Sequence, residues 1–381
     1  MISLRWVALV FVITLSLTAI WFGPKKMLAH AEEGLPFYNL QRATNIYAST
    51  WLDVNLGQVN PFNLPRVPWQ MIISTLAKFG MSNVRVQQVI FLTLIMGPFF
   101  SIGLLTRELG ISFETQIRKI AAIFYFFNLF VLTQVLQRFI YPLIMLWSYL
   151  PLFLYLWLKW LNTRRLGYLV FFLISSLIFS AVFGLSSSIF ALWIPAGIVW
   201  WQNRKIVPAI IAITLWLLAS IWWWYPLLTI KDNPFSQSLN VSQSLTSLVD
   251  VGKFYPDSEI IYLKQRYFFG SNTLWHNFYT NNVVKNISTG IVVLLALGTL
   301  LVLKLRRGRI VIVWLLIAWF LVKGGNNQLG VSFYKWVFES FPFTMVLRNP
   351  YEKLGVVFLL PYCLLAAFGL SKVPSRMIRV L

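Results

Sequence analysis

Long apolar runs separated by short polar breaks extend over almost the whole chain. Such runs predict helices that cross a membrane, because a spanning helix needs about 20 predominantly apolar residues. We predict ten of these segments, at roughly 4–22, 89–106, 118–133, 139–158, 166–184, 187–201, 206–226, 287–303, 310–322 and 354–370. The shortest is 310–322. We expect it either to extend into its polar flanks or to be enclosed by other helices, where the length requirement relaxes.

Basic residues in the short breaks predict the orientation of these segments. With ten crossings, one side of the membrane receives the short basic connections and both chain ends, whose bases are Arg5, Arg107, Arg118, Lys119, Lys159, Arg164, Arg165, Arg204, Lys205, Lys304, Arg306, Arg307, Arg309, Lys372, Arg376 and Arg379. Short loops rich in Lys and Arg stay in the cytoplasm. Both termini are therefore predicted to be cytoplasmic.

Three long extracytoplasmic loops follow from this layout, at 23–88, 231–286 and 323–353. Long loops on one face of a protein usually carry its site. We expect one integral-membrane domain over 1–381, since no repeat or linker interrupts it. An alternative is that the first apolar run is a signal peptide cleaved near Ala29-His30-Ala31, although Pro24-Lys25-Lys26 precedes that site.

Composition agrees with a membrane protein and excludes a soluble globule. The chain has 381 residues, of which 58% are hydrophobic and 11% charged, whereas soluble domains carry about 25% charged residues. The net charge of +21 would suggest nucleic acid in a soluble protein, but basic cytoplasmic loops and anionic lipids account for it here. The single cysteine, Cys363, forms no metal or disulfide pattern.

Two amphipathic helices are predicted within the first long loop, both lying along the membrane surface. The clearer one begins near Pro68 and stops near Gly80, with Gln70 and Ser74 facing away from its apolar stripe. That stripe consists of Trp69, Ile72, Ile73 and Leu76. The weaker stripe consists of Leu40, Ala43, Tyr47 and Trp51. Between them, Asp53 is interpreted as structural.

Cations in the second and third loops are candidate ligands for a lipid phosphate. The second loop places Arg266 and His276 among aromatic residues, which suits either a sugar or phosphate groove or an interfacial aromatic belt. The third loop begins with Lys323, in a polar turn predicted to be flexible, and ends with Arg348 and Lys353 on either side of a proline. These two bases could hold phosphate or merely reach the interface at a helix end.

Adjacent acids early in the first loop, Glu32 and Glu33, are the candidate catalytic residues. No nucleotide-binding loop is present, and an enzyme outside the cytoplasm needs a membrane-anchored donor such as a polyprenyl-phosphate sugar. A carboxylate would then remove the acceptor's proton while cations hold the phosphate. Glu33 is preferred because Gly34 follows it. The alternative is a solvated acidic turn.

Four stretches of the sequence resemble the GT-C fold of integral-membrane glycosyltransferases. They are Glu32-Glu33-Gly34-Leu35-Pro36-Phe37, Trp51 to Gly57, Met96-Gly97-Pro98-Phe99-Phe100, and Lys323-Gly324 with Arg348-Asn349-Pro350-Tyr351-Glu352-Lys353. The chain is most similar to the membrane part of α-(1→3)-arabinofuranosyltransferase-like proteins, and it shares features with bacterial multi-pass proteins that glycosylate lipoteichoic acid. The resemblance implies that Glu32 or Glu33 is the catalytic base. Because that family more often has an aspartate motif here, the choice between them stays open.

These observations predict an all-α polytopic membrane protein of the GT-C type in the plasma membrane of a prokaryote. Its expected function is transfer of a sugar from a polyprenyl-phosphate donor to a glycan or lipid acceptor of the cell envelope. The expected partners are that donor, that acceptor and membrane lipids, but no nucleic acid. No cofactor or metal site is identified, and a divalent metal stays an open alternative. The alternative functions are a lipid-linked glycan transporter, or flippase, and an inactive assembly subunit.

Overall fold

The computed structural model describes residues 4–23, 26–28, 37–49, 51–52, 58–59, 61–109, 115–229, 240–265, 274–305 and 308–373. Helices α1 to α9 are Leu4–Phe22, Leu40–Ala48, Val67–Lys78, Asn83–Glu108, Thr115–Phe126, Tyr141–Thr163, Leu166–Ile178, Ser188–Asn203 and Ile206–Thr229. Helices α10 to α16 are Val241–Gly252, Asp257–Ile261, Leu274–Thr280, Asn282–Val302, Arg309–Lys323, Gln328–Ser340 and Pro350–Ser371. Short 3₁₀ turns cover Pro61–Arg66, Ser180–Gly184, Gly324–Asn326 and Pro342–Leu347. A two-residue antiparallel pair joins β1, Trp51–Leu52, to β2, Gln58–Val59.

The described residues confirm the predicted all-helical class of a membrane protein. Seven helical segments are long and apolar enough to span a bilayer, namely Arg5–Phe22, Asn83–Glu108, Tyr141–Thr163, Ile206–Thr229, Asn282–Val302, Arg309–Asn326 and Pro350–Ser371. The segment predicted to be too short, 310–322, extends into its polar flanks and reaches 18 residues. This was one of the two outcomes expected for it.

The other three predicted segments lie on helices that do not meet this length by themselves. The segment at 118–133 falls on α5 and a following π-helix, Val131–Gln137, which are bent by 60° at a break. Counting that pair as one span gives up to eight among the described residues. Helices α7 and α8 are apolar but shorter.

Two compact units divide the chain. The first contains Met1–Ser101, Arg138–Ser186 and Lys205–Ser236, and the second contains Ile102–Gln137, Ser187–Arg204 and Gln237–Leu381. One domain over 1–381 stays a prediction, since this division does not test it.

Helix α6 forms the core of the first unit and is buried around almost its whole circumference. A helix that is apolar all round belongs inside a protein or a bilayer. Its polar groups are satisfied locally, because the Trp160 indole N–H donates to the carbonyl of Pro208 at 2.8 Å. The hydroxyl of Ser180 likewise donates to the carbonyl of Pro65 at 2.6 Å, which joins two 3₁₀ turns.

Helix α16 forms the core of the second unit and packs against α13, α14, α5 and α8. Small residues permit the closest of these contacts. A Cβ atom added to Gly298 would collide with the carbonyl of Leu365, and one added to Gly369 would collide with the carbonyl of Leu294. Interfaces between membrane helices commonly use small residues in this way, since they let two backbones approach closely.

Candidate functional site

A buried polar cluster lies at the beginning of α16 in the second unit. It consists of Tyr255, Gln265, Tyr351 and Glu352, all of which are buried. The phenol O–H of Tyr255 donates to Gln265 Oε1 at 2.5 Å and lies 3.4 Å from Glu352 Oε1. The Tyr351 ring packs on the Tyr255 ring with centroids 4.7 Å apart. Two segments distant in the sequence therefore meet at one polar site.

The sequence around Glu352 explains why a carboxylate is tolerated in this cluster. Pro350 begins α16, where its missing N–H costs nothing. Glu352 lies in the first turn of that helix, where the positive end of the helix dipole stabilises a negative charge. A buried acid at this position is consequently less costly than one in the middle of the helix would be.

Two donors of this cluster are left open to a ligand. Neither the amide Nε2 of Gln265 nor the hydroxyl of Tyr351 has a hydrogen-bond partner among the described residues, although both atoms are buried. Most buried polar groups are paired, and an unsatisfied one costs about 1–3 kcal/mol. The two groups can therefore donate hydrogen bonds to a bound polar molecule or to water.

A second carboxylate, Glu259, lies on α11 beside the cluster. Its Oε2 is 3.9 Å from Lys264 Nζ, and both side chains are almost fully buried. Helix α11 turns Glu259 inward, whereas Asp257 on the same helix is exposed. Nearby, burial raises the pKa of Tyr279 to about 12, against the opposing effects of hydrogen bonds with Thr133 and the Gln265 backbone.

The turn after α14 supports this cluster through its glycines. Added Cβ atoms would meet Pro350 from Gly324 and the backbone of Leu248 from Gly325. The side-chain amide of Asn326 donates to the carbonyl of Tyr255. The flexibility of this turn stays a prediction, but its backbone is packed directly against α10 and the start of α16.

The structure places the predicted cationic site residues in different surroundings. Lys323 Nζ contacts Asp257 Oδ2 at 2.6 Å, so this base from the third loop is already paired with an acid from the second. Arg348 is exposed just after Pro342–Leu347, Lys353 is half-buried on α16, and His276 is half-buried on α12.

The predicted catalytic acids Glu32 and Glu33 lie outside the described residues, as do Arg266 and Asp53. Whether the acids approach Arg348 or Lys353 therefore stays a prediction. Among the residues that are described, no three His, Cys, Asp or Glu side chains converge to hold a metal ion.

The second unit also contains an apolar groove with a volume of about 170 Å³. It is lined by Phe124, Phe127, Asn128, Leu129, Leu132, Tyr262, Leu263, Phe278, Val284, Ile287, Ser288, Ile291, Tyr362 and Cys363. The Tyr362 hydroxyl donates to the carbonyl of Ile261 at 3.0 Å, so α16 fixes the segment that forms one wall. That same segment continues to Gln265. The segment Ile261 to Gln265 thus contributes Tyr262 and Leu263 to the groove and Gln265 to the polar cluster.

The break between α5 and the π-helix also lines the groove. Asn128 caps both sides of this break: its amide donates to the carbonyls of Phe124 at 2.9 Å and Tyr125 at 3.0 Å. Its Oδ1 accepts from the Val131 N–H at 2.9 Å. A broken helix at membrane depth requires such partners, because lipid offers none.

In the first unit, the predicted loop-one helices form a polar seam. Helix α3 contains the expected stripe, begins next to Pro68 and is followed by Gly80 at positive φ. Gln70 was predicted to face away, but it is buried and its Nε2 donates to the carbonyl of Leu40 at 3.2 Å. Thr44 and Ser74 hydroxyls also meet at 2.7 Å. The two helices therefore pack against each other through polar groups.

A smaller pocket of about 20 Å³ lies beside these helices. Arg66 contributes to it, and its Nη1 donates to the Tyr47 hydroxyl at 3.4 Å. A Cβ on Gly184 would collide with the Arg66 side chain, so the glycine provides the space that the guanidinium occupies. This volume accommodates about one water molecule.

Comparison with known proteins does not indicate a function for this chain. No family model, curated protein or solved structure matches the chain. The resemblance to GT-C glycosyltransferases consequently stays a prediction. The sequence analysis quoted the stretch that contains Glu352 but did not single out this residue. The pattern that could have indicated it is an acid in the first turn of a helix that begins with proline.

Proposed function

We propose that this chain is an integral-membrane glycosyltransferase that moves a sugar from a polyprenyl-phosphate donor to a glycan or lipid acceptor of the cell envelope. The observation that supports it best is that one short segment contributes Tyr262 and Leu263 to the apolar groove and Gln265 to the buried polar cluster. A lipid-linked sugar has a hydrocarbon chain and a polar head, so its enzyme needs an apolar channel beside polar groups. The sugar-transfer chemistry itself rests on the sequence resemblance.

The topology that goes with this proposal has ten crossings and both termini in the cytoplasm of a prokaryote. Helices α7, α8 and the bent pair would supply the three crossings beyond the seven long ones. Helix α8 packs against α14 and α16, which suits a short span enclosed by protein. In this arrangement α2 and α3 lie along the outer membrane surface, and the polar cluster is reached from outside.

The proposed reaction needs one base and a set of cations. Glu33 or Glu32 takes the proton from the acceptor hydroxyl, whose oxygen forms a bond to the anomeric carbon of the sugar. The bond between that carbon and the phosphate oxygen breaks, and its electron pair leaves with the polyprenyl phosphate. The cations proposed to hold this phosphate are Arg348, Lys353, Lys323, His276 and Arg266. Such stabilisation of developing charge is often a large part of catalysis.

The test is a transfer assay in membranes supplied with a labelled polyprenyl-phosphate sugar. Glu32→Gln and Glu33→Gln are measured separately, and the variant that removes the base should lose roughly 10²–10⁴-fold in rate. Glu339→Gln is the matched control, because Glu339 is exposed on α15 and 4.0 Å from Lys335. Full transfer by both loop-one variants would remove these acids from the mechanism.

The same assay separates the loop-one acids from the buried ones. Glu352→Gln keeps the size of a side chain that lies beside Tyr255, so a loss of transfer in properly folded protein would assign the base or a headgroup contact to the polar cluster. Absence of transfer in the wild-type chain, with every donor supplied, would support the inactive assembly subunit instead.

A lipid-linked glycan transporter is the second candidate, favoured by the broken helix at Asn128. Transporters often build their substrate sites from discontinuous helices near the middle of the bilayer, and this break lines the apolar groove. The chain reconstituted in vesicles would then move a fluorescent polyprenyl-phosphate sugar between leaflets without chemical change. Movement of the intact lipid without transfer would favour the transporter over the enzyme.

A further inference from the structure

Helix α15 has three distinct faces, although an ordinary amphipathic helix has two. One face is buried against the protein and contains Gly330, Tyr334 and Phe338. A second face is polar and exposed, with Ser332, Lys335 and Glu339. The third face is apolar and follows the spacing Leu329, Phe333, Trp336, in which Leu329 and Trp336 are 67% and 58% exposed. At 100° per residue the third face lies between the other two.

Aromatic rings continue the third face into the neighbouring segments. Successive centroid distances are 5.3 Å from Phe320 to Phe333, 6.3 Å from Phe333 to Trp336 and 6.4 Å from Trp336 to Phe341. Phe341 is 6.2 Å from Phe343, which stacks on Phe190 of α8 at 5.9 Å. We call these six rings, Phe320, Phe333, Trp336, Phe341, Phe343 and Phe190, the aromatic ribbon.

The ribbon is continuous with the apolar surface of a membrane helix. On α14, the exposed residues Val313, Leu316 and Ile317 are spaced so that Phe320 completes an i, i+3, i+4, i+7 stripe. Since α14 forms most of the long apolar segment Arg309–Asn326, we expect this exposed stripe to face lipid. Phe320 then joins it to the ribbon.

We infer that α15 and Pro342–Leu347 lie in the membrane interface, with the aromatic ribbon immersed among lipid headgroups and upper acyl chains. The segment connects the end of one long apolar helix to the start of another, so it lies close to the bilayer surface. Amphipathic aromatic rings are enriched at that depth, and a helix lying there buries its apolar face while its charged face meets water. The inference holds for an enzyme, a transporter or a subunit alike.

The chain offers adjacent positions that test this placement. After Cys363→Ala removes the only cysteine, which is buried, two single-cysteine variants are made: Trp336→Cys on the ribbon and Lys335→Cys on the polar face. Each is labelled with a nitroxide and reconstituted in vesicles of phosphatidylethanolamine and phosphatidylglycerol. Electron paramagnetic resonance then measures collisions of the label with oxygen, which partitions into lipid, and with a water-soluble nickel chelate.

The label at position 336 should collide more with oxygen than with the nickel chelate, and the label at 335 should do the reverse. Phe343→Cys and Glu339→Cys form a second pair with the same expectation, in case Trp336→Cys fails to fold. Equal access of the nickel chelate to both members of a pair would overturn the inference, because the ribbon would then face water. Low access of both reagents at 336 and 343 would also overturn it, since a protein partner would cover the ribbon.

Tryptophan fluorescence provides an independent measurement that needs no spin label on the aromatic ribbon. Brominated lipids quench tryptophan on contact, so replacing Trp336 with phenylalanine should lower the quenchable fraction of the fluorescence. An unchanged quenchable fraction in folded Trp336→Phe protein would contradict the placement.

Discussion

Tyr255 and Gln265 are joined by a 2.5 Å hydrogen bond in which the phenol O–H donates to the side-chain carbonyl. Both residues are buried, and the bond closes the segment between them over the beginning of α16. Helix α16 contacts this part of the second loop at two points, because the Tyr255 hydroxyl lies 3.4 Å from Glu352 Oε1 and the Tyr362 hydroxyl donates to the carbonyl of Ile261. This bond is the natural first place to test the polar cluster.

Removing the donor with Tyr255→Phe should destabilise the protein by about 1–3 kcal/mol, since the Gln265 carbonyl would stay buried without its partner. Thermal unfolding in detergent measures the effect. Tyr38→Phe is the matched control, because Tyr38 is 69% exposed and its replacement should leave the unfolding midpoint nearly unchanged. Equal midpoints for the two variants would show that the bond contributes nothing to stability.

The crossing of α13 and α16 predicts a sharp contrast between two glycines of α13. Gly298→Ala places a methyl group against the Leu365 carbonyl, and such overpacking costs typically 1–3 kcal/mol. Gly290→Ala introduces the same methyl where no atom lies within 4 Å, so it should be neutral or slightly stabilising through helix propensity. Comparing the two unfolding midpoints checks the crossing, which would be disproved by equal values.

Asn128 should be required for the bent helix. Asn128→Ala removes two donors and one acceptor from the break, which leaves buried backbone groups without partners, at a cost of about 1–3 kcal/mol or more. The exposed Asn286 provides a control, since Asn286→Ala should have little effect. If Asn128→Ala unfolds at the wild-type temperature, the backbone groups at the break must find other partners.

The raised pKa of Tyr279 predicts a loss of stability at alkaline pH. The folded protein holds the phenol protonated up to about pH 12, whereas the unfolded chain releases this proton near pH 10. The stabilisation is therefore fully present below pH 10 and is lost as pH rises toward 12. Unfolding midpoints measured across this range should fall less steeply for Tyr279→Phe. Parallel curves for the variant and the wild type would contradict the assigned cause.

The overall class of the fold could be predicted from hydrophobic length alone. All ten predicted apolar segments fall on helices, because a run such as 354–370 has no other way to satisfy its backbone in lipid. It was harder to predict which of these segments form a helix long and straight enough to span a membrane. The break at Asn128 depends on a single side chain that bonds to three backbone groups, and an isolated asparagine in an apolar run gives no sign of the 60° bend.

The surroundings of the polar residues were harder to predict than the helices. Gln70 was predicted to face away from the apolar stripe of its helix, yet it is buried because the distant helix α2 packs against it. The apolar stripe predicted on α3 is present, but the polar residues Gln70 and Ser74 beside it form hydrogen bonds with α2. Local periodicity shows which face of a helix is apolar; it does not show that a second helix supplies polar partners to the other face.

The third loop shows the same limit for glycine. Lys323 to Asn327 has the composition of a mobile turn, but Gly324 and Gly325 are there because no side chain would fit. Glycine permits both freedom and close approach, and the sequence does not distinguish these two uses. The use depends on the segment that packs against the glycine, and for Gly325 that segment is the distant helix α10.

That close approach also determines how the second and third loops can move. A Cβ atom on Gly252 would collide with the backbone of Gly325, so two main chains touch there with nothing compressible between them. Helix α10 therefore cannot come closer to the turn that precedes α15 without moving it. We therefore expect α10 and this turn to shift as one piece.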